Sequence, residues 1–353
     1  MTQSAVIAGV GMMTAVGLTA AETAASVRCA TMHFSESALR DRRFAPYTLA
    51  EVPEEGLPNL TKDVASATGL TSRSRRMLRL AAGALSGVLE TAPSALPSPP
   101  LVLALPETEM GPPLDGRRFL EHLARQVGGK FDIRRSEASH RGRAGGLEAI
   151  GQAVRLILDG KAKSVLAGGV DTYRDGYVLA SLEIEARVRS NLNLDGFVPG
   201  EAAGFVLLAD RRVAQAAGAP CIAQVSMVAT GFESGHLYSP EPYRGEGLAM
   251  AVSKLVQSGA AVAPFLEVYS SMNGESHWAK EWGVAAIRNK TSLAQGYRMH
   301  HPADCYGDPG AASGVLMVGL AAKGLSDGYR HSPCLVYGSS DRGPRAAVAL
   351  TGA

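Results

Sequence analysis

The residues 297–308, YRMHHPADCYGD, bring His300, His301, Asp304, Cys305 and Asp308 into one short stretch. A cysteine within reach of a histidine makes a thiolate–imidazolium nucleophile suited to acyl transfer. The plainer alternative is a small buried cysteine whose neighbouring histidines cap a loop, and it is the preferred one. A metal site is not expected there. Adjacent histidines do not share one helix face, and no second cluster of ligands supports them.

A second stretch, SHRGRAGGLEAIGQAVRLILDG (139–160), puts a cation where chemistry often sits. Leu147, Ile150, Val154, Ile157 and Leu158 fall on one helical face, and Gly160 ends the pattern. Arg143 lies just ahead of that face, and a positive charge at a helix N-terminus is unfavourable by roughly 0.3–1 kcal/mol unless paired. Either carboxylates neutralise it, or it binds an anionic ligand at the helix end.

These segments need a frame to position them. The chain has 353 residues, of which 46% are hydrophobic and 19% charged, a globular balance able to bury a large core. Forty glycines with few aromatics suit closely layered helices and strands. A formal net charge of +2 argues against a dedicated nucleic-acid binder. The arginines of TSRSRRMLR (71–79) read as a solvated helix face; those of DIRRSEASHRGR (132–143) adjoin the helix start and are less easily set aside. Cys29, Cys221, Cys305 and Cys334 show no paired spacing and read as reduced thiols. The opening MTQSAVIAGVGMMTAVG reads as a strand and turn and not as a signal peptide, and no apolar run is long enough to span a membrane. A cytoplasmic location follows from this reading.

Strand and helix alternate along the chain. Strands are expected at 4–12, 101–106, 163–171, 221–232 and 263–271, and at two closing segments, PCLVYGS and RAAVALT. Residues 196–210 read as a glycine-rich turn entering a further strand. Helices are expected at 18–28, capped by Thr19, at 74–90, in RRVAQAAGA, at 246–258 and at 310–325. Residues 30–70 read as a surface excursion.

Taken in order, AVIAGVGMMTAVG, GGLEAIGQAVRLILDGKAKSVLAGGVDTY, DGFVPGEAAGFVLLAD and GDPGAASGVLMVGLAA resemble the thiolase fold, and within it the β-ketoacyl synthase branch. The blocks run from residue 5 to the C-terminus. The resemblance implies an α/β architecture of five layers, α/β/α/β/α, in two pseudo-symmetric halves, residues 1–215 and 216–353. It also implies acyl transfer to a cysteine followed by decarboxylative condensation with a malonyl thioester.

The residues that reaction needs are replaced. Alignment with the family puts Arg143 at the cysteine position, and a guanidinium that stays protonated is no nucleophile. The first histidine position maps to Asn273, followed by Gly274 and Glu275, and the second to Gly307. Asp341 stands where the family carries the phenylalanine of a glycine–phenylalanine–glycine gate. Removing one oxyanion donor lowers a rate by about 10²–10³-fold, so losing the nucleophile too leaves no ordinary condensation. Arg143, Glu275, Asp308, Asp341, Arg342 and Arg345 all map around the former pocket, and an ion-pair network filling it is expected. Cys305 with His300 or His301 is the candidate for a relocated nucleophile. His140 and His277 are expected to be satisfied polar residues, and Glu201 to serve the turn structurally.

The favoured function is a catalytically inactive, β-ketoacyl synthase-like partner or adaptor. It would act as a homodimer or as a heterodimer with a thiolase-fold partner, with a protein client or acyl carrier protein as further partner and without cofactor, nucleic acid or membrane. The segments HPADCYGDPGAASG and SSDRGPRAA are loosely similar to a divergent thiolase-like group associated with type VI secretion clusters. The alternatives are a divergent acyltransferase or 3-oxoacyl synthase acting on acyl-carrier-protein or coenzyme A thioesters through a relocated nucleophile, and a sensor holding an acyl or anionic ligand.

Overall fold

The protein, described here from a computed structural model, is resolved into secondary structure over residues 4–93, 96–259, 261 and 263–353. Its strands are β1 (Ala5–Thr14), β2 (Ser35–Arg40), β3 (Pro46–Leu49), β4 (Leu101–Leu105), β5 (Glu137–His140), β6 (Ser164–Thr172), β7 (Glu201–Asp210), β8 (Ala223–Val225), β9 (Ala229–Phe232), β10 (Phe265–Ser270), β11 (Leu293–His300), β12 (Cys334–Ser339) and β13 (Pro344–Thr351). Hydrogen bonding orders them β5-β4-β6-β7-β1 and β11-β10-β12-β13-β8, joined where β1 meets β8, while β9 pairs with β13.

Both five-strand runs follow one plan. In the first, β4 lies parallel to β5 and β6, and β7 is antiparallel to β6 and β1. In the second, β10 lies parallel to β11 and β12, and β13 is antiparallel to β12 and β8. The near-continuous apolar strands β4, β6, β7 and β12 are buried along their length, as strands covered on both faces must be.

Helices supply the covering layers. Ser72–Thr91 and Gly116–Gln126 pack on one outer side, and Glu246–Gln257 and Ser276–Arg288 on the other. Between the sheets lie Gly142–Leu158 and Ser313–Ser326, buried on nearly every side. This is a five-layer α/β arrangement. A Cβ on Gly146 would stand 2.9 Å from the Val315 nitrogen, and one on Gly314 would stand 2.8 Å from the Leu147 nitrogen. Glycine at both positions lets the two helix backbones meet.

Several boundaries differ from the sequence reading. The first buried helix begins at Gly142, five positions before its apolar face, because the first turn is held by tertiary contacts and not by periodicity. Residues 221–232 divide into β8 and β9, which pair with different strands or segments of strand. The excursion 30–70 contains the β2–β3 hairpin. The run ahead of His300 is a sheet-edge strand and not a loop. Residues 310–312 form a short 3₁₀ turn before the late helix. Thr19 caps its helix with Glu22 in a reciprocal capping box. No helix among the described residues is long and apolar enough to cross a membrane.

A smaller unit sits beside the layers. The hairpin β2–β3, the helix Gly176–Ile184 and the segment through Phe197 share a separate apolar cluster built on Tyr47, Leu49, Tyr173, Leu179, Leu182 and Phe197.

Candidate functional site

The second residue of the helix Gly142–Leu158 is Arg143, only 2% exposed. Its Nε donates to Asp308 Oδ2 at 2.8 Å, its Nη2 donates to the same oxygen, and its Nη1 donates to Asp341 Oδ1. Asp308 is fixed from both sides by the backbone, since its N–H donates to Val198 O and its carbonyl accepts from Gly200 N, both at 2.9 Å. Asp341 lies in the turn joining β12 to β13.

A second guanidinium completes the cluster. Arg187 donates to Glu275 Oε1 and Oε2 at 2.8 Å each, and to Asp341 Oδ2 at 2.7 Å. Asn273 donates through Nδ2 to Glu275 at 2.9 Å and to Asp308 at 2.8 Å. Trp278 Nε1 also donates to Glu275, at 2.9 Å. The aromatic walls face the cations: Arg143 lies 5.3 Å from the Trp278 ring centre, and Arg187 5.3 Å from that of Phe197. Two guanidiniums thus bridge three carboxylates in a nearly solvent-free space, with forked, charge-assisted hydrogen bonds offsetting the desolvation such a cluster suffers.

The helix start is closed by oxygen acceptors. Ala144 N–H donates to Ser340 Oγ at 3.0 Å, and Asp341 N–H donates to Glu107 Oε1 at 3.0 Å. Glu107 Oε2 has no hydrogen-bond partner, though Arg342 Nε lies 3.7 Å away. Burial pushes the Glu107 carboxyl up to about 7, and the neighbouring Asp341 charge adds to the shift against the pull of Arg143 and Arg342. Burial alone would raise Asp341 too, but Arg143 and Arg187 hold its carboxyl well below the usual range.

Little space remains for a substrate. The cavity beside Asp308, lined by Ser270, Ser271, Tyr306, Asp308, Ser313 and Met317, measures about 10 Å³. That is the lower limit for a single water molecule. Among the described residues the cluster contains no cysteine, and its Glu107 carboxyl is the one pushed up by burial to about 7.

The other sequence candidates are dispersed. His300 Nε2 lies 2.6 Å from Glu267 Oε2, and His301 Nδ1 lies 2.7 Å from Ser270 Oγ. Cys305 is buried without a side-chain hydrogen bond to either, and burial pushes its thiol up to about 11. That direction opposes thiolate formation. Gly307 has φ +68°, and a Cβ there would stand 2.8 Å from Val198 O. The position is filled by backbone. Two residues expected in the network stand outside it. Arg345 is fully buried but pairs with Glu281 at 2.6 Å, its guanidinium 5.7 Å from the Trp278 ring centre. Arg342 is partly exposed and makes no contact with the three paired carboxylates; it pairs with Glu109 at 3.2 Å and reaches the cluster only through Glu107, 3.7 Å away. Their chain neighbourhood is right; the direction of each side chain follows its nearest carboxylate.

The 71–79 arginines are not a solvated face throughout. Arg73 meets Asp171 at 3.0 Å, and Arg76 donates from Nε to Glu201 at 2.7 Å, both guanidiniums being buried. Glu201 also accepts from Val52 N–H and the Thr172 hydroxyl, so it ties a strand end to its surroundings. His140 Nδ1 is satisfied by Pro106 O at 2.9 Å, whereas His277 Nε2 is buried without a partner. Arg187, Glu107, Ser340 and Trp278 were not singled out in the sequence. Arg187 lies among the charges of EIEARVR, and no spacing marks it. No group of metal-ligating side chains comes together among the described residues.

Comparison with known proteins agrees with this architecture. Residues 142–214 match the β-ketoacyl synthase N-terminal domain. A 3-oxoacyl-[acyl-carrier-protein] synthase 2 of Staphylococcus aureus is 27% identical over 158 residues, which cover 41% of this chain and 39% of that relative. The match thus spans about two fifths of the curated relative's length. Among solved structures, the ishigamide ketosynthase/chain length factor superposes with a TM-score of 0.80 at 16% identity, covering 100% of both chains. A ketosynthase in complex with its chain length factor from Xenorhabdus doucetiae gives 0.76 at 16% identity, covering 99% of this chain and 98% of that one.

Proposed function

The chain is a thiolase-fold, ketosynthase-like protein, and from that premise we propose that it does not catalyse condensation and works instead by holding a protein partner. The observation that carries this reading is Arg143, lodged at the helix start with Asp308 and Asp341 bound to its guanidinium. An acyl thioester needs a nucleophile, a pair of donors for its oxyanion and room for its chain. At this site the nucleophile position carries a cation, nearby N–H groups are engaged by Ser340 and Glu107, and the cavity beside Asp308 measures only about 10 Å³.

The likeness to ketosynthase and chain-length-factor assemblies supports a protein as partner. In this reading the protein is cytoplasmic and pairs with a thiolase-fold subunit, its own copy or another. Its further partner is a protein client or acyl carrier protein, and the loose similarity of residues 301–314 and 339–347 to that group supports a secretion-associated role.

Intact-mass spectrometry after incubation with a panel of acyl-coenzyme A and acyl-carrier-protein thioesters tests the reading. No mass gain is expected with any donor. An adduct, lost in Cys305→Ala or mapped by peptide sequencing to another side chain, would establish an acyltransferase and end the proposal.

A further inference from the structure

We infer that the layer between the outer face of β12–β13 and the helix Ser276–Arg288 is a solvent-binding chamber, in which ordered internal water molecules join Arg345, Ser339, His277 and Tyr243. Such a chamber would exist whether or not the protein holds a partner.

Seven buried side-chain nitrogen or oxygen atoms among the described residues have no hydrogen-bond partner, and five of them belong to this layer: Tyr337 Oη, Ser339 Oγ, Arg345 Nη2, His277 Nε2 and Tyr243 Oη. The remaining two, Glu107 Oε2 and His122 Nδ1, come from the first half of the chain. Buried polar groups are ordinarily bonded to protein or to ordered water. Five unpartnered atoms in one layer therefore mark a site.

The strand register brings them together. Ser339 and Arg345 are direct partners across the antiparallel β12–β13 pair and share a face, as do Tyr337 and Ala347. Tyr337 and Ala347 pack outward in one cluster with Trp282, and the two-residue strand period places Ser339 and Arg345 on that same side. Facing them, His277 and Glu281 are four residues apart on the helix Ser276–Arg288 and so share one of its sides. Arg345 Nε donates to Glu281 Oε1 at 2.6 Å, and Tyr337 stacks on Trp282 with ring centres 4.8 Å apart. The His277 and Tyr243 rings lie 5.0 Å apart. Burial pushes the Tyr243 hydroxyl up, and the Glu281 and Glu233 charges push it further, as expected of a hydroxyl set beside two carboxylates. Arg345 cannot turn to satisfy itself, because its Nη1 is held by the carbonyls of Ser340, Arg342 and Pro344 while Nη2 is left over.

Charge selects the occupant. An anion would meet two buried carboxylates, Glu281 and Glu233, against the single guanidinium of Arg345. A metal cation would meet that guanidinium, and no group of metal-ligating side chains comes together among the described residues. Water brings no charge to desolvate; it accepts from Arg345 Nη2 and gives or takes a hydrogen bond at each hydroxyl. His277 suits the same occupant. Burial holds its imidazole below the usual range although Glu281 opposes the shift, so the neutral ring offers one donor and one acceptor.

A crystal structure of the whole chain, at a resolution that places individual waters, tests this. Peaks of water weight are expected within hydrogen-bond distance of Arg345 Nη2 and of at least one atom among Ser339 Oγ, His277 Nε2 and Tyr243 Oη. Crystals grown with bromide should show no anomalous signal at those peaks. In solution, oxygen-17 magnetic relaxation dispersion reports long-lived internal waters. Its amplitude should fall in Ser339→Ala and in Tyr243→Phe relative to the parent, and should not fall in Tyr177→Phe, a change at an exposed ring. A bromide peak would make the chamber an anion site and overturn the inference. So would direct protein contacts closing over the five atoms, or an amplitude equal to the parent's in both chamber variants.

Discussion

Arg143 and Glu107 sit within one cluster and should respond to substitution with opposite sign. Removing one partner from a buried, hydrogen-bonded ion pair leaves uncompensated charge, at a cost of about 3–5 kcal/mol. Arg143→Met removes the cation paired with Asp308 and shared with Arg187 at Asp341, so it should lower unfolding stability by about that amount. Glu107 behaves differently because its carboxyl, pushed up to about 7, is disfavoured as an anion. Between the ordinary glutamate value of about 4.3 and 7, the folded protein keeps a proton that the unfolded chain has lost, so its contribution is fully present at low pH and falls as pH rises. Urea titrations from pH 5 to 8 should show Glu107→Gln flattening that fall and matching or exceeding the parent at pH 8. A variant that keeps the parent's slope would mean that Glu107 is not the group responsible.

The elements were legible to different degrees, for reasons visible in their packing. Leu147 to Leu158 announced a helix because its buried side shows the 3.6-residue period, but its first turn did not. Gly142 to Gly146 carry no periodic signal, and they are helical because Ser340 caps Ala144 and Gly146 meets the late helix. The helix Ser276–Arg288, which begins just after Glu275, was not foreseen, nor was the helix Gly176–Ile184, whose exposed apolar face hides any amphipathic pattern. The glutamate and aspartates of the cluster were named from the order of the blocks, while Arg187 could not be, since its partners lie 88 and 154 residues away in sequence. The close contact of the two buried helices gives an element-scale expectation. Gly314→Ala inserts a methyl group 2.8 Å from the Leu147 nitrogen, a backbone atom that cannot swing aside. Overpacking of this kind destabilises by about 1–3 kcal/mol or more, and calorimetry should register a lowered midpoint. An unchanged midpoint would show that the helices can part without loss.

At the scale of the molecule, the repeated strand plan suggests two halves that could be cut apart, but the interior argues against it. The helix Gly142–Leu158 comes from the first half and Ser313–Ser326 from the second, and both lie in one core with β1, β7, β12 and β13. The charges are divided in the same way. Arg143 and Arg187 come before residue 215, whereas Asp308, Asp341 and Glu275 come after it. A first half alone would hold two buried guanidiniums without these carboxylates, and a second half alone would hold three carboxylates without these guanidiniums. Either state leaves buried charge unpaired, together with one face of a central helix open to water. Residues 1–215 and 216–353 made separately should therefore show no cooperative thermal transition. The intact chain should unfold in a single one, with both halves melting together by circular dichroism and by calorimetry. A sharp transition from either isolated half would mean that its sheet and outer helices suffice, and that the ion cluster joins two units already folded. The absence of such a transition would place the cluster inside one cooperative unit, where Arg143 helps hold the two halves as a single body.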